Sequence, residues 1–346
     1  MKPIECEGCP LYDAPGPVAG SGPPDASICF VGEAPASDEI ASGLPFTGGA
    51  GRVLSVLVRK AGGDRNYCWI RNSVRCQVPG NDMGSYEHAE AAIQHCSENF
   101  LIPELEESPH VKVVVPLGNS ANWILTRRGK VGEGIYNFRG YPYVDPVYKF
   151  IVLPTIHPAA LMRDRTMFNV VVTDLRKAFR IANEGYKRPP EEFQIPSTPF
   201  EVEAAVETLL QAKVPVTIDI ENPNGQLVVL GFGIMSFAMC VPFVGEYGDR
   251  YWKTDEEEAQ VIAAINQLLA SPDVPKVVQF EQHERFWLTQ YGFELGGDWY
   301  DIHAMHALAY PALPHKLGFI GSIHTERIEW KSLAPDWSEE MDEVDK

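Results

Sequence analysis

"SICFVGEAPASDEIASGLPFTGGAG", residues 27–51, is the stretch on which the reading of this chain turns. The apolar run "SICFV" reads as a strand, and the glycines beyond it read as a turn into a helix. Glycine-rich loops after strands often cradle phosphates, but the spacing is wrong for that. A dinucleotide loop needs G-x-G-x-x-G and a phosphate loop needs G-x-x-x-x-G-K-S/T. Neither occurs here. Instead Glu33, Asp38 and Glu39 precede Pro45-Phe46 and the small run Gly48-Gly49-Ala50-Gly51. Carboxylates would repel a pyrophosphate. With an aromatic face and tight glycines, the loop suits a flat, neutral ring.

Working outward, residues 27–32, 111–117 and 149–154 are short β-rich runs, separated by helix-like stretches at 51–62, 86–107, 118–127 and 168–184. The alternation predicts an α/β fold with a parallel sheet between helical layers. Such sheets bind ligands at the carboxyl ends of their strands, where both the opening loop and "PTIHPAA" (154–160) are expected. The segment 184–200, rich in proline and charge, reads as a linker. This gives a first domain over 1–185, a linker over 186–198 and a second domain over 199–346. The second domain shows its own α/β pattern: a helix near 200–212, strands "VPVTIDIE", "LVVLGFGIMSF" and "KVVQF", and helices at 255–270 and 281–291.

The 346 residues carry a formal charge of −18, unevenly distributed. Residues 1–185 hold 18 Lys and Arg against 20 Asp and Glu, a net of −2; the remainder holds 11 against 27, a net of −16. The first domain is therefore free to present a local basic surface to a polyanion. No run of 18 apolar residues suggests a membrane span, and "MKPIECEGCP" lacks the features of a secretory signal, so a cytoplasmic protein is expected. Seven cysteines in such a chain are not expected to be disulfide staples. Cys29, Cys68 and Cys240 sit in apolar contexts and are expected to be buried thiols. Cys6 and Cys9 form C-x-x-C, with Cys76 and Cys96 dispersed downstream. Four thiolates of this kind suit zinc or an iron–sulfur cluster. One close pair with two distant partners favours the cluster over paired zinc knuckles, with four unrelated thiols as the plain alternative.

Seven pieces in order, "CEGC", "VGEAP", "GLPFTGGAGRVL", "IRNSVRC", "QHCSENFLIPEL", "VVPLGNSA" and "LPTIHPAALMR", make residues 6–180 resemble the iron–sulfur (family 4-type) uracil-DNA glycosylases. The resemblance implies a three-layer α/β/α domain, a 4Fe-4S cluster on Cys6, Cys9, Cys76 and Cys96, and uracil-containing DNA as the partner. Uracil must leave the stack before its glycosidic bond is reached. Phe46 is then expected to face the base and Asn72 to read its polar edge. His157 would donate to the departing uracil oxygen. Glu33 and Glu39 are the candidates for orienting water and steadying the positive sugar, with Glu39 favoured. Arg163, with Arg165 beside it, is expected to meet flanking phosphates. The sequence departs from the family at Ala36, where the motif has glycine, at "CQVP" in place of "CRPP", and in the 19 residues between Cys76 and Cys96. It lacks the basic insert of a related branch that becomes trapped on DNA, so turnover is expected.

Residues 199–331 resemble the 3′–5′ exonuclease domain of phage-like A-family DNA polymerases, which implies a ribonuclease H-like fold. "VTIDIENPNG" places Asp219 and Glu221 at i and i+2, on one face of a strand, as ligands for Mg2+ or Mn2+. In "VVQFEQHERFWLTQYG" the second motif's asparagine is Phe280 and its aspartate is Glu284, while Asp301 matches a structural position. No third Tyr-x-x-x-Asp motif follows. Two-metal catalysis needs carboxylates that hold both ions, so a degenerate or truncated nuclease is expected. Three functions are compatible with these residues: a uracil-excising enzyme with this domain attached, a non-catalytic uracil-DNA or DNA polymerase-associated module, or the front part of a split polymerase.

Overall fold

The three apolar runs of the first domain and two further strands form one sheet in the computed structural model, which describes residues 2–144, 148–188 and 192–327. The strands are β1 (Ile28–Gly32), β2 (Trp69–Asn72), β3 (Val113–Pro116), β4 (Tyr143–Val144) and β5 (Ile151–Val152), in the order β2-β1-β3-β5-β4. β1 runs parallel to β2 and β3, and β3 runs parallel to β5. The two-residue β4, too short to register as a pattern in the sequence, pairs antiparallel at the edge. β1 and β3 are buried throughout, as strands covered on both faces must be. Side chains alternate across the sheet. Cys29 and Val31 share a core with Ile93 and Ile124 of the helices Ala89–Cys96 and Asn119–Thr126. On the other side the helix Phe168–Glu184 packs on β1 and β3 and on the helix Gly49–Lys60. The result is a three-layer α/β/α sandwich.

The helix expected over 86–107 is broken. It runs from Ala89 to Cys96, widens into a π turn at Ser97–Leu101 and resumes at Ile102–Glu106. Pro103 has no N–H for the carbonyl one turn earlier, so regular winding cannot continue through it.

The described residues divide into two compact units. The first takes the chain up to Arg188 and again from Gly318 onward; the second is the stretch between them. In the second unit β7 (Val216–Glu221), β8 (Val229–Ile234) and β9 (Phe237–Pro242) form an antiparallel meander. Cys240, expected to be buried, is left exposed on β9, where side chains alternate between faces. β10 (Lys276–Val278) and β11 (Trp299–Asp301) add in parallel on the far side of β7. The order β11-β10-β7-β8-β9 is that of a ribonuclease H-like sheet. The proline-rich stretch read as a linker contributes an edge strand, β6 (Phe193–Gln194), beside β9. The helix Pro199–Ala212 then begins with a capping box of Thr198 and Glu201 and with proline in its first turn. No helix among the described residues is long and apolar enough to cross a membrane.

Candidate active site

The carboxyl ends of the first unit's parallel strands lie side by side, and each leads to a candidate residue. Glu33 follows β1, Asn72 ends β2, Gly118 follows β3 and His157 follows β5. Glu33, Gly118 and His157 line an open cleft together with Glu39, Phe46 and Arg163, while Asn72 lies outside that lining. Arg163 is exposed at the end of the short helix Ala160–Arg163, while Arg165 lies outside the lining. The rings of Phe46 and His157 stand 5.7 Å apart at their centroids, tilted by 35°. Asn72 is buried beneath them. A Cβ on Gly32 would stand 2.4 Å from Asn72 Oδ1 and 2.6 Å from the Phe46 ring. Amide and ring therefore converge on one point that only glycine leaves free.

Phe46 is buried with φ at +55°, a backbone state that costs a side-chain-bearing residue about 1–2 kcal/mol. Its surroundings hold it there. The Phe46 N–H donates to Glu39 Oε1 at 2.7 Å, and the Phe46 carbonyl accepts from Arg65 at 2.8 Å. The other Glu39 oxygen accepts the Ala36 N–H at 2.5 Å. Both oxygens of Glu39 thus clamp the loop that presents Phe46. Gly51 is required beneath it, because a Cβ there would meet the Phe46 carbonyl oxygen at 1.6 Å. Ala36, where the family motif has glycine, is extended at φ −92°, which any residue adopts.

His157 Nδ1 accepts the Ala159 N–H at 3.2 Å, which leaves the proton of a neutral ring on Nε2. Burial, helped by the Arg163 charge, lowers its pKa to about 4. Gly118 gives the ring room: at φ +92°, a Cβ there would stand 3.0 Å from His157 Cβ. Glu33 Oε2 accepts from Ser120 Oγ at 2.6 Å. Burial raises the Glu33 pKa against the pull of that hydrogen bond, with a smaller push from Asp82. Arg65, Ser120 and the exposed, cleft-lining Tyr136 escaped sequence reasoning. Each is an ordinary polar or aromatic residue with no local pattern, and only tertiary proximity gives it a role.

The profile of the uracil DNA glycosylase superfamily matches residues 19–181. The chain is 34% identical over 188 residues to the type-4 uracil-DNA glycosylase of Sulfurisphaera tokodaii, a match covering 52% of this chain and 81% of that protein. It is 36% identical to the corresponding Thermotoga maritima protein, over 50% of this chain and 88% of that one. The chain belongs to the uracil-DNA glycosylase superfamily. Among solved structures it resembles Escherichia coli RNase D at 14% identity and a TM-score of 0.32, covering 42% of this chain and 37% of that one. The catalytic core of RRP6 from Trypanosoma brucei gives 15% identity and a TM-score of 0.33, covering 44% of this chain and 42% of that one. The chain thus spans less than half of either exonuclease.

Elsewhere in the superfamily unit, Cys6, Cys9, Cys76 and Cys96 all line one small pocket. Three of the four are buried and Cys9 is partly so. Burial raises the thiol pKa values of Cys6 and Cys9, and pushes that of Cys96 up to about 12. No three His, Cys, Asp or Glu side chains among the described residues gather tightly enough to hold a single metal ion. Tetrahedral zinc, with Zn–S bonds near 2.3 Å, would need such a gathering. Four thiols around a shared cavity fit a multi-iron cluster better, since each cysteine there binds a separate iron.

In the second unit Asp219 and Glu221 lie on the exposed face of β7. Glu284 is buried in the helix Glu281–Gln290. Burial, with the charges of Asp219 and Glu221, pushes its pKa up to about 8. Its Oε2 has no hydrogen-bond partner among the described residues. Asp301 caps the helix Ile302–Ala309 by accepting from His303 N–H at 2.8 Å, and it also accepts from Glu281 N–H at 3.1 Å. Among the described residues no three such side chains, these included, gather tightly enough to hold a metal ion, whereas a two-ion nuclease centre needs carboxylates that hold both ions.

Proposed function

We propose that the first unit hydrolyses the N-glycosidic bond of uracil in DNA. The convergence of Phe46, Asn72 and His157 at the strand ends carries this reading. A flat base laid against Phe46 meets the Asn72 amide at its polar edge, where hydrogen-bond pattern separates uracil from cytosine. As the C1′–N1 bond breaks, its electrons pass to uracil. The neutral His157 Nε2–H then donates to the oxygen that gains charge, needing no prior protonation at pH 7. Water attacks C1′ and gives up a proton. Because Glu39 is fully engaged with backbone N–H groups, Glu33 is the carboxylate left to accept that proton and steady the sugar. Glu39 acts by positioning Phe46. Arg163 and Tyr136, both on the cleft lining, would meet the strand flanking the extruded nucleotide.

Cys6, Cys9, Cys76 and Cys96 would hold a 4Fe-4S cluster. Its positive irons would supply the charge that deprotonates the buried thiols, and its role would be to tie the N-terminal segment to the sheet. For the second unit we infer binding without digestion: it has the sheet of a nuclease and lacks a usable ligand set. Its support for a polymerase partner is the sequence resemblance alone. Incubation with uracil-containing and uracil-free oligonucleotides, followed by alkali, tests the main reading. Strand breaks confined to the uracil positions are expected. Unbroken uracil strands, together with retained binding, would instead indicate a recognition module.

A further inference from the structure

The first unit holds a second polar cluster, buried inside it. Arg139 and Asp174 are both fully buried and paired, with Arg139 Nε donating to Asp174 Oδ2 at 2.8 Å. Arg139 Nη1 also donates to Ser322 Oγ at 2.6 Å. Beside them Lys177 Nζ donates to the backbone oxygens of Ser322 at 2.5 Å and Thr325 at 2.6 Å. Ser322 belongs to the helix Leu317–His324, which lies beyond the second unit in sequence and outside the residues 19–181 of the superfamily match. Tyr141 donates from its hydroxyl to the Gly318 carbonyl, and Arg139 lies over the Phe319 ring. A cation at the C-terminal carbonyls of a helix is the favourable end for positive charge.

The same cluster reaches the cleft. Asp174 Oδ2 also accepts from Thr155 Oγ1 at 2.6 Å. Thr155 is two residues before His157. Its N–H donates to Pro116 O and its carbonyl accepts from Gly118 N–H, each at 2.9 Å. Thr155 is thus where the His157 loop is tied both to the end of β3 and to the buried ion pair. We propose that the Leu317–His324 helix is a positioning element of the uracil site, acting through Ser322, Arg139, Asp174 and Thr155 to hold the His157 loop. The inference rests on the glycosylase reading of the cleft for its consequence, though not for its geometry. Without the Ser322 hydroxyl, a buried guanidinium N–H lacks its acceptor and the pair must turn to find another. Any turn of Asp174 is felt at Thr155.

The test uses the full chain with Ser322→Leu and Ser322→Thr, followed by hydrogen exchange and single-turnover uracil excision at saturating DNA. Ser322→Leu is expected to speed exchange across residues 153–159 about tenfold. It should slow excision about tenfold, with DNA binding unchanged, because a small misplacement of a catalytic group lowers rate more than affinity. Ser322→Thr, which keeps the hydroxyl, should restore both. If Ser322→Leu does not fold, Thr155→Val breaks the same chain of bonds at its other end and is held to the same outcome. Wild-type exchange at 153–159 in a variant whose 318–324 amides exchange freely would overturn the proposal. A wild-type chain that excises no uracil would sink the glycosylase reading while the exchange result still decided the helix.

Discussion

On the proposed reading, Asn72 and His157 are the side chains whose loss should separate binding from chemistry. Asn72→Ala and His157→Ala are expected to fold normally by circular dichroism and to lose roughly 10²-fold in excision, the scale of one lost transition-state donor. Asn72→Asp inverts part of the edge pattern and should admit cytosine, checked on a cytosine-containing oligonucleotide. His157 also sets a pH signature. Its folded pKa of about 4 lies below the ordinary 6.5, so the ring stays neutral from pH 8 down through 6. Excision should show no His157-dependent fall near pH 6.5. The same displacement makes the folded state lose stability as pH drops from about 6.5 to about 4, because the unfolded chain takes up the proton first. A rate limb near 6.5 that disappears in His157→Ala would contradict this assignment.

At the scale of elements, the loop from Gly32 to Gly51 works because its irregular backbone is bonded at each end of Phe46. Gly51→Ala drives a methyl into the Phe46 carbonyl oxygen. We expect a loss of roughly 2–3 kcal/mol in urea unfolding, typical of overpacking, together with loss of excision. An unchanged midpoint would show that the helix start can move. The four-cysteine cavity makes a separate prediction. Protein purified without air should be brown and contain iron, and Cys96→Ser should contain less of it. Zinc without iron, found by metal analysis, would remove the cluster and keep a structural metal site.

For the whole molecule, the second unit's carboxylates predict both inactivity and a pH effect. A labelled primer with Mg2+ or Mn2+ should remain undigested; digestion abolished by Asp219→Ala would overturn this. Glu284 has a folded pKa of about 8 against an ordinary 4.5. Its contribution to stability is therefore present at low pH and lost as pH rises from about 4.5 through 8. Glu284→Gln should stabilise the chain at pH 8.5 by about 2 kcal/mol, with the gain vanishing near pH 4.5. Urea midpoints at the two pH values would show it.

The apolar runs and their spacing were enough to place β1, β3, β7 and the long flanking helices. Buried parallel strands must be continuously apolar, and amphipathic helices must cover them. Phe46, Asn72 and His157 were legible for a related reason: residues at the carboxyl ends of such strands gather at one edge of the sheet. What each side chain does there depended on bonds between residues far apart in the chain. The sequence offers Glu39 as a carboxylate for water and sugar but shows neither that its two oxygens accept backbone N–H groups nor that Arg65 meets the Phe46 carbonyl. Nothing in the local pattern of Ser322 marks it as the acceptor for a buried arginine. Periodicity reports which face of an element is dry. Only the tertiary structure decides which polar group on that face finds a partner, because a buried charge takes whichever acceptor the fold brings to it.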